Sequence, residues 1–96
     1  RYGGDELAVL LPETDAEQAQ LLAKRLLEEI GCARFPTVHG SAPPKVSVSI
    51  GGACFPADAV VIDEFIRKAD EALYASKKGG RARVHWTGKP AALFSL

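Results

Sequence analysis

The chain has 96 residues, with twelve basic against twelve acidic side chains and a formal net charge of zero, which fits one small domain and leaves no room for two. That balance gives no electrostatic footprint for nucleic acid or for an anionic membrane surface, and no apolar run approaches the roughly 20 residues that a spanning helix needs. A chain this short buries only about 60–65% of its unfolded surface, so a core standing alone is expected to be marginal.

Arg1-Tyr2-Gly3-Gly4-Asp5-Glu6-Leu7 opens the chain. The glycines suit a tight turn whose backbone a phosphate can approach without Cβ interference. The two acids are hard oxygen donors of the kind Mg²⁺ prefers. Leu7-Ala8-Val9-Leu10-Leu11 reads as a strand leaving the turn. Two readings of the heptad stand side by side: a hairpin tip presenting carboxylates to a metal and a phosphorylated substrate, or a Gly-Gly turn with two solvated acids.

Pro12-Glu13 closes that strand, and Thr14 stands three residues before Glu17. This is capping-box spacing and predicts a helix start there; Asp15 and Glu17 also suit the positive end of the helix dipole. Ala19, Leu22, Ala23, Leu26, Leu27 and Ile30 recur at three- and four-residue steps and form one apolar face. Gly31 supplies the stop. Residues 32–45 hold Pro36, Pro43, Pro44 and Gly40 and read mostly as loop, with His39 inside it.

Val46, Val48 and Ile50 alternate with Lys45, Ser47 and Ser49, the pattern of a half-buried strand ending at Gly51-Gly52. After the Pro56 loop, Ile62, Phe65, Ile66, Ala69, Leu73 and Ser76 fall on one face of a second helix, which Gly79-Gly80 terminates. A short strand around Arg83 to Trp86 follows, carrying His85. A Gly/Pro-containing tail comes last, its Trp86, Phe94 and Leu96 apolar enough to pack back onto a sheet or to lead into a following domain.

Cys32 and Cys54 are too few and too isolated for a metal framework or a disulfide scaffold, and are expected as buried, reduced thiols. No signal peptide is visible. The chain contains no methionine, which leads us to expect a piece of a longer polypeptide. The element order of hairpin strand, helix, strand, helix, strand predicts an α+β fold with helices packed on one mainly antiparallel sheet.

Three stretches taken in order, Arg1 to Leu7, Val46-Ser47-Val48-Ser49-Ile50-Gly51, and Ala69-Asp70-Glu71-Ala72-Leu73-Tyr74-Ala75-Ser76-Lys77-Lys78-Gly79-Gly80-Arg81, resemble the C-terminal portion of a GGDEF domain, the diguanylate cyclase family. That family's pattern runs RYGGDEF, a strand ending in LP-T, a helix, a V-VSIG strand, then ADxALYxAKxxGRN. The resemblance covers residues 1–86, with 87–96 as a C-terminal tail or linker. It implies a nucleotide-cyclase palm-like antiparallel sheet of strand order 2-3-1-4-5, here lacking the N-terminal strand and helices of the full domain. Without the central strand, its neighbours expose ladder edges, so we expect the piece not to be an independent native-like domain.

The resemblance also implies function. The family condenses two GTP into cyclic di-GMP and pyrophosphate, using Mg²⁺ (or Mn²⁺), between two half-sites that face each other in a homodimer. Asp5 matches the acid used as metal ligand and as an aid in deprotonating the 3′-hydroxyl; Glu6 matches the neighbouring metal-binding acid. Gly3 and Gly4 match the glycines that let substrate lie against the hairpin. Leu7 replaces the usual Phe and is expected to stay in the core. Lys77 and Arg81 match the pair that grips the β- and γ-phosphates, with Lys78 as a weaker alternative for the same role; read alone, Lys77 complements a helix end and Arg81 is solvated. Ala82 stands where Asn usually follows Gly-Arg.

Arg25 matches a possible inhibitory site for product, against the reading of a surface ion pair with Glu29. The RxxD motif that accompanies it would lie upstream of Arg1, and Arg1 itself is open between phosphate contact and structure. Asp70 and Tyr74 read as helix packing and surface contacts. The implied setting is bacterial second-messenger signalling in the cytoplasm, with sensory or regulatory domains elsewhere in a parent that other domains are free to tether to a membrane. Three functions remain: the parent is an active cyclase, the isolated piece being inactive; it is a degenerate regulatory module binding GTP or cyclic di-GMP without catalysis; or the chain is a general structural fragment with no nucleotide affinity.

Overall fold

The computed structural model describes residues 1–37, 40, 45–88 and 92–95, the last four in backbone only. Two helices and a three-stranded sheet make a small α+β fold: α1 (Ala16–Cys32), β1 (Ile50–Gly52), α2 (Ile62–Lys78), β2 (Arg83–Trp86) and β3 (Ala92–Ser95). The sheet runs β1-β2-β3, with β1 parallel to β2 (Ile50 opposite Val84) and β2 antiparallel to β3 (Arg83 opposite Ser95). The expected mainly antiparallel sheet is therefore met only at the β2–β3 pair. A helix joins β1 to β2, and a crossover of that length brings the chain back in the same direction.

Alternation along β2 separates two layers of packing. Val84 and Trp86 are buried with Ala19, Ala23 and Leu27 of α1, and Leu11, Val48 and Ile50 pack against that cluster. His85, between them, meets α2: its Nδ1 lies 3.0 Å from Ser76 Oγ, which donates to the Ile50 carbonyl at 2.7 Å. Ser76 is fully buried. Gly51 lies tightly against α2, since a Cβ there would stand 2.5 Å from Leu73 Cα and 2.6 Å from the Ala69 carbonyl. Trp86 lays its six-membered ring over Gly52. Its Nε1 is buried without a hydrogen-bond partner among the described residues.

Several local expectations need correction. Asp15, not Thr14, is the N-cap of α1: its Oδ1 accepts from the Gln18 amide at 2.8 Å, while Thr14 Oγ1 turns back to donate to the Pro12 carbonyl. Asp caps as well as any residue, so one step along the chain costs nothing. The helix also runs through Gly31 to Cys32. Residues 7–11 form no strand, because nothing among the described residues pairs with them. Leu7 is 79% exposed and Leu10 77%, so the expected burial of Leu7 fails.

The strand read over 46–50 shrinks to Ile50–Gly52. On α2, Ala72 and Ser76 are buried while Ile62 and Ile66 are exposed. Cys32 is exposed and Cys54 half-buried; both thiols are free. Residues 92–95 of the tail add a third strand. His39, Pro43, Pro44 and Leu96 lie outside the described residues, as does the side chain of Phe94.

Candidate active site

The first six residues fold into a tight hairpin. The Glu6 amide donates to the Gly3 carbonyl at 2.7 Å, and the Glu6 carbonyl accepts from the amides of Tyr2 (3.0 Å) and Gly3 (3.3 Å). Gly4 and Asp5 form its tip. A Cβ on Gly3 or Gly4 would meet nothing within 4 Å, and neither residue has a positive φ. Any need for glycine here therefore arises from something outside the described residues.

Asp5 is exposed and makes no side-chain hydrogen bond or ion pair among the described residues; Glu6 is half-buried. Glu6 reaches α2, where its Oε2 accepts from Lys77 Nζ at 2.9 Å, with both side chains about one-third exposed. An ion pair this open to solvent is worth about 0.2–1 kcal/mol. Tyr2 makes a second, longer link to the same helix, its hydroxyl donating to Asp70 Oδ2 at 3.4 Å. Between hairpin and helix lies an open cleft of about 180 Å³ lined by Tyr2, Glu6, Asp70, Leu73, Tyr74 and Lys77.

The end of α2 is a Schellman turn. The Arg81 amide donates to the Ser76 carbonyl and the Gly80 amide to the Lys77 carbonyl, which satisfies carbonyls that the helix end would otherwise orphan. Gly80 has φ +120°, Arg81 +63° and Ala82 +48°. Two non-glycine residues in the left-handed region store about 1–2 kcal/mol each. This turn carries Arg81 out as an exposed cation four residues beyond Lys77. Lys78 lies 5.9 Å from the Tyr74 ring centroid.

Arg25 sits elsewhere, on α1, paired with Glu29 at 3.6 Å with both side chains more than two-thirds exposed. Arg1 is exposed. Of the expected site residues, Gly3, Gly4, Asp5, Glu6 and Lys77 come together; Arg81 follows on the same helix end; Arg25 belongs to another element.

No group of three His, Cys, Asp or Glu side chains among the described residues is arranged to hold a metal. The donor set fits a different mode. Mg²⁺ keeps several waters and is commonly held by one or two carboxylates plus substrate phosphates, and the free carboxylate of Asp5 beside Glu6 offers that much.

Residues 1–83 match the family model described as diguanylate cyclase, GGDEF domain. The chain belongs to the GGDEF family. This GGDEF chain is 38% identical over 84 residues to the probable diguanylate cyclase DgcT of Escherichia coli (strain K12), a match spanning 88% of this chain and 19% of that protein. It is 32% identical over 91 residues to the response regulator PleD of Caulobacter vibrioides, spanning 95% and 20%. It is 33% identical over 84 residues to diguanylate cyclase A of Treponema denticola, spanning 88% and 22%. The chain thus covers about a fifth of the length of these curated relatives. No solved structure matches it significantly.

Asp70 and Tyr74, expected as helix packing and surface contacts, line the cleft beside Glu6 and Lys77 in this chain. The signal for Asp70, Leu73, Tyr74 and Lys77 was their three- and four-residue spacing on one helix face. Nothing in the sequence pointed to Tyr2. No helix is long and apolar enough to cross a membrane among the described residues.

Proposed function

We propose that this chain is part of a diguanylate cyclase that condenses two GTP into cyclic di-GMP, and that the hairpin and the end of α2 form one half-site. The observation that carries the reading is the meeting of Glu6 with Lys77 beside an open cleft, under a hairpin whose glycines leave free space. Acids and cations side by side are what phosphoryl transfer needs, since the protein there chiefly positions reactants and balances charge.

In the proposed reaction the ribose 3′-oxygen of one GTP bonds to the α-phosphorus of the other. The α–β phosphoanhydride bond breaks, pyrophosphate leaves, and the 3′-hydroxyl proton is lost. A second such step closes the ring. Asp5 and Glu6 would hold Mg²⁺ (or Mn²⁺), which when bound supplies charge neutralisation at the phosphates. Asp5 also helps draw off the hydroxyl proton. Gly3 and Gly4 admit the substrate against the hairpin backbone, and Lys77 and Arg81 bind the β- and γ-phosphates. Arg25, exposed on α1, serves as an inhibitory contact for product.

Each half-site carries one GTP, so two copies face each other in a homodimer. The described elements, with β1 parallel to β2, would form one side of a palm-like, mainly antiparallel sheet whose central strand is supplied from upstream, residues 1–86 being the C-terminal portion of that domain and 87–96 its tail. The 96 residues alone are expected to make little or no product. The setting is cytoplasmic signalling under sensory or regulatory domains. The test is pyrophosphate release from GTP and Mg²⁺ by the polypeptide extended upstream of Arg1. Specific activity that rises with protein concentration is expected. Folded, dimeric protein that binds GTP and releases none would instead favour the regulatory module.

A further inference from the structure

We propose that Arg83 is a positioning residue: its guanidinium clamps the strained turn after α2 and so holds Arg81 in place, doing here what the Asn usual at position 82 would otherwise do. For the ligand of Arg81 the inference rests on the functional reading above; the clamp itself rests on geometry.

Arg83 opens β2 two residues before His85, so the two side chains leave the strand on the same face, the one packed against α2. The Arg83 side chain is half-buried and runs back along the chain. Its Nε donates to the Arg81 carbonyl at 3.0 Å. The guanidinium lies over the two glycines: a Cβ on Gly79 would stand 3.2 Å from Nη1, and one on Gly80 2.7 Å from Nη2. Glycine at both positions leaves room for the fork, which also sits at the end of a helix whose carbonyl dipoles favour a cation.

The turn needs a clamp because its own residues resist it. Arg81 (φ +63°) and Ala82 (φ +48°) follow one another in the left-handed region, which non-glycine residues visit singly and seldom in runs. Asn eases that conformation, since its short amide bonds to nearby backbone. Ala82 can make no such bond. Arg83 supplies one from the next position, to the carbonyl of the first strained residue.

Arg81 projects from within this turn, so a change in its φ re-aims its cation. A ligand that needs Arg81 then binds with an affinity reduced by the fraction of chains holding the turn. One solvent-accessible hydrogen bond moves such a balance by about three- to ten-fold. Arg83 thereby acts on the ligand through Arg81 and does not touch it.

The test is calorimetric binding of the uncleavable analogue α,β-methylene-GTP, in Mg²⁺, to the polypeptide extended upstream of Arg1. Arg83→Met is used because it keeps the stem over the glycines and removes only the fork. It is made alone, with Ala82→Asn, and in an Arg81→Met background, all matched to wild type by circular dichroism. Arg83→Met is expected to bind about three- to ten-fold more weakly than wild type. Adding Ala82→Asn is expected to recover most of that loss, and without Arg81 the Arg83→Met change is expected to vanish. An unchanged affinity in Arg83→Met, with wild type binding well, would overturn the inference alone. A loss that persists without Arg81 would overturn it too, since Arg83 would then meet the ligand itself or act by charge. A loss that Ala82→Asn leaves in full would overturn the exchange of Asn for Arg83. Folded wild type that does not bind the analogue would overturn the functional reading and this inference with it.

Discussion

Glu6 and Lys77 meet at 2.9 Å although 71 positions of chain separate them. The contact joins the hairpin to the last turn of α2, beside the longer link from the Tyr2 hydroxyl to Asp70 on the same helix. Its ingredients were legible in the sequence, but its geometry was not.

Ser76 is the buried polar hinge between α2 and the sheet. Replacing it with Ala leaves the Ile50 carbonyl and His85 Nδ1 without their partner, which costs about 1–3 kcal/mol. Urea titration is expected to show a lower midpoint with an unchanged slope. An unchanged midpoint would mean that water or another group satisfies both atoms.

Gly51→Ala is expected to be more severe. The added methyl would meet the backbone of Leu73 and the Ala69 carbonyl, and backbone cannot swing aside as a side chain does. β1 and α2 would have to separate, so a loss above about 3 kcal/mol or failure to fold is expected. Native-like stability in that variant would place α2 farther from the strand than 2.5 Å contacts allow.

Ala82 stores strain that a better residue would release. At φ +48° it sits in the left-handed region, which Asn and Gly tolerate better than Ala. Ala82→Asn or Ala82→Gly is expected to stabilise by about 0.5–1 kcal/mol, read as a rise in thermal midpoint. A fall would show that this backbone is not left-handed.

Leu27→Ala and Leu10→Ala make a matched pair of truncations. Leu27 is fully buried in the cluster that holds Val84 and Trp86, whereas Leu10 is 77% exposed. The first is expected to cost about 2–5 kcal/mol and the second under about 0.5 kcal/mol. Equal losses would require residues 7–11 to be buried, as their apolar run first suggested.

That contrast marks what sequence can reveal here. The helices announce themselves because a 3.6-residue period is a local property, and Gly79 and Gly80 mark the end of α2 within a residue. The Leu7–Leu11 run carries hydrophobicity but no partner, and a strand exists only where another strand pairs with it. β3 escaped notice for the converse reason, since four residues after a Gly/Pro stretch hold little pattern until β2 lies beside them. At the site, the hairpin acids and Lys77 were legible as residue types, and resemblance put them in one reading. The Tyr2–Asp70 link was not, because a contact across 68 positions leaves no trace in spacing.

The most direct measurement is chromatographic detection of cyclic di-GMP formed from GTP and Mg²⁺ by the polypeptide extended upstream of Arg1, beside its Asp5→Asn and Lys77→Met variants. Product from wild type is expected, with at least a hundred-fold loss in Asp5→Asn and a weaker apparent affinity for GTP in Lys77→Met, each loss being of the order seen when a charge-stabilising group is removed. Product formed equally well by Asp5→Asn would contradict a cyclase built on this hairpin.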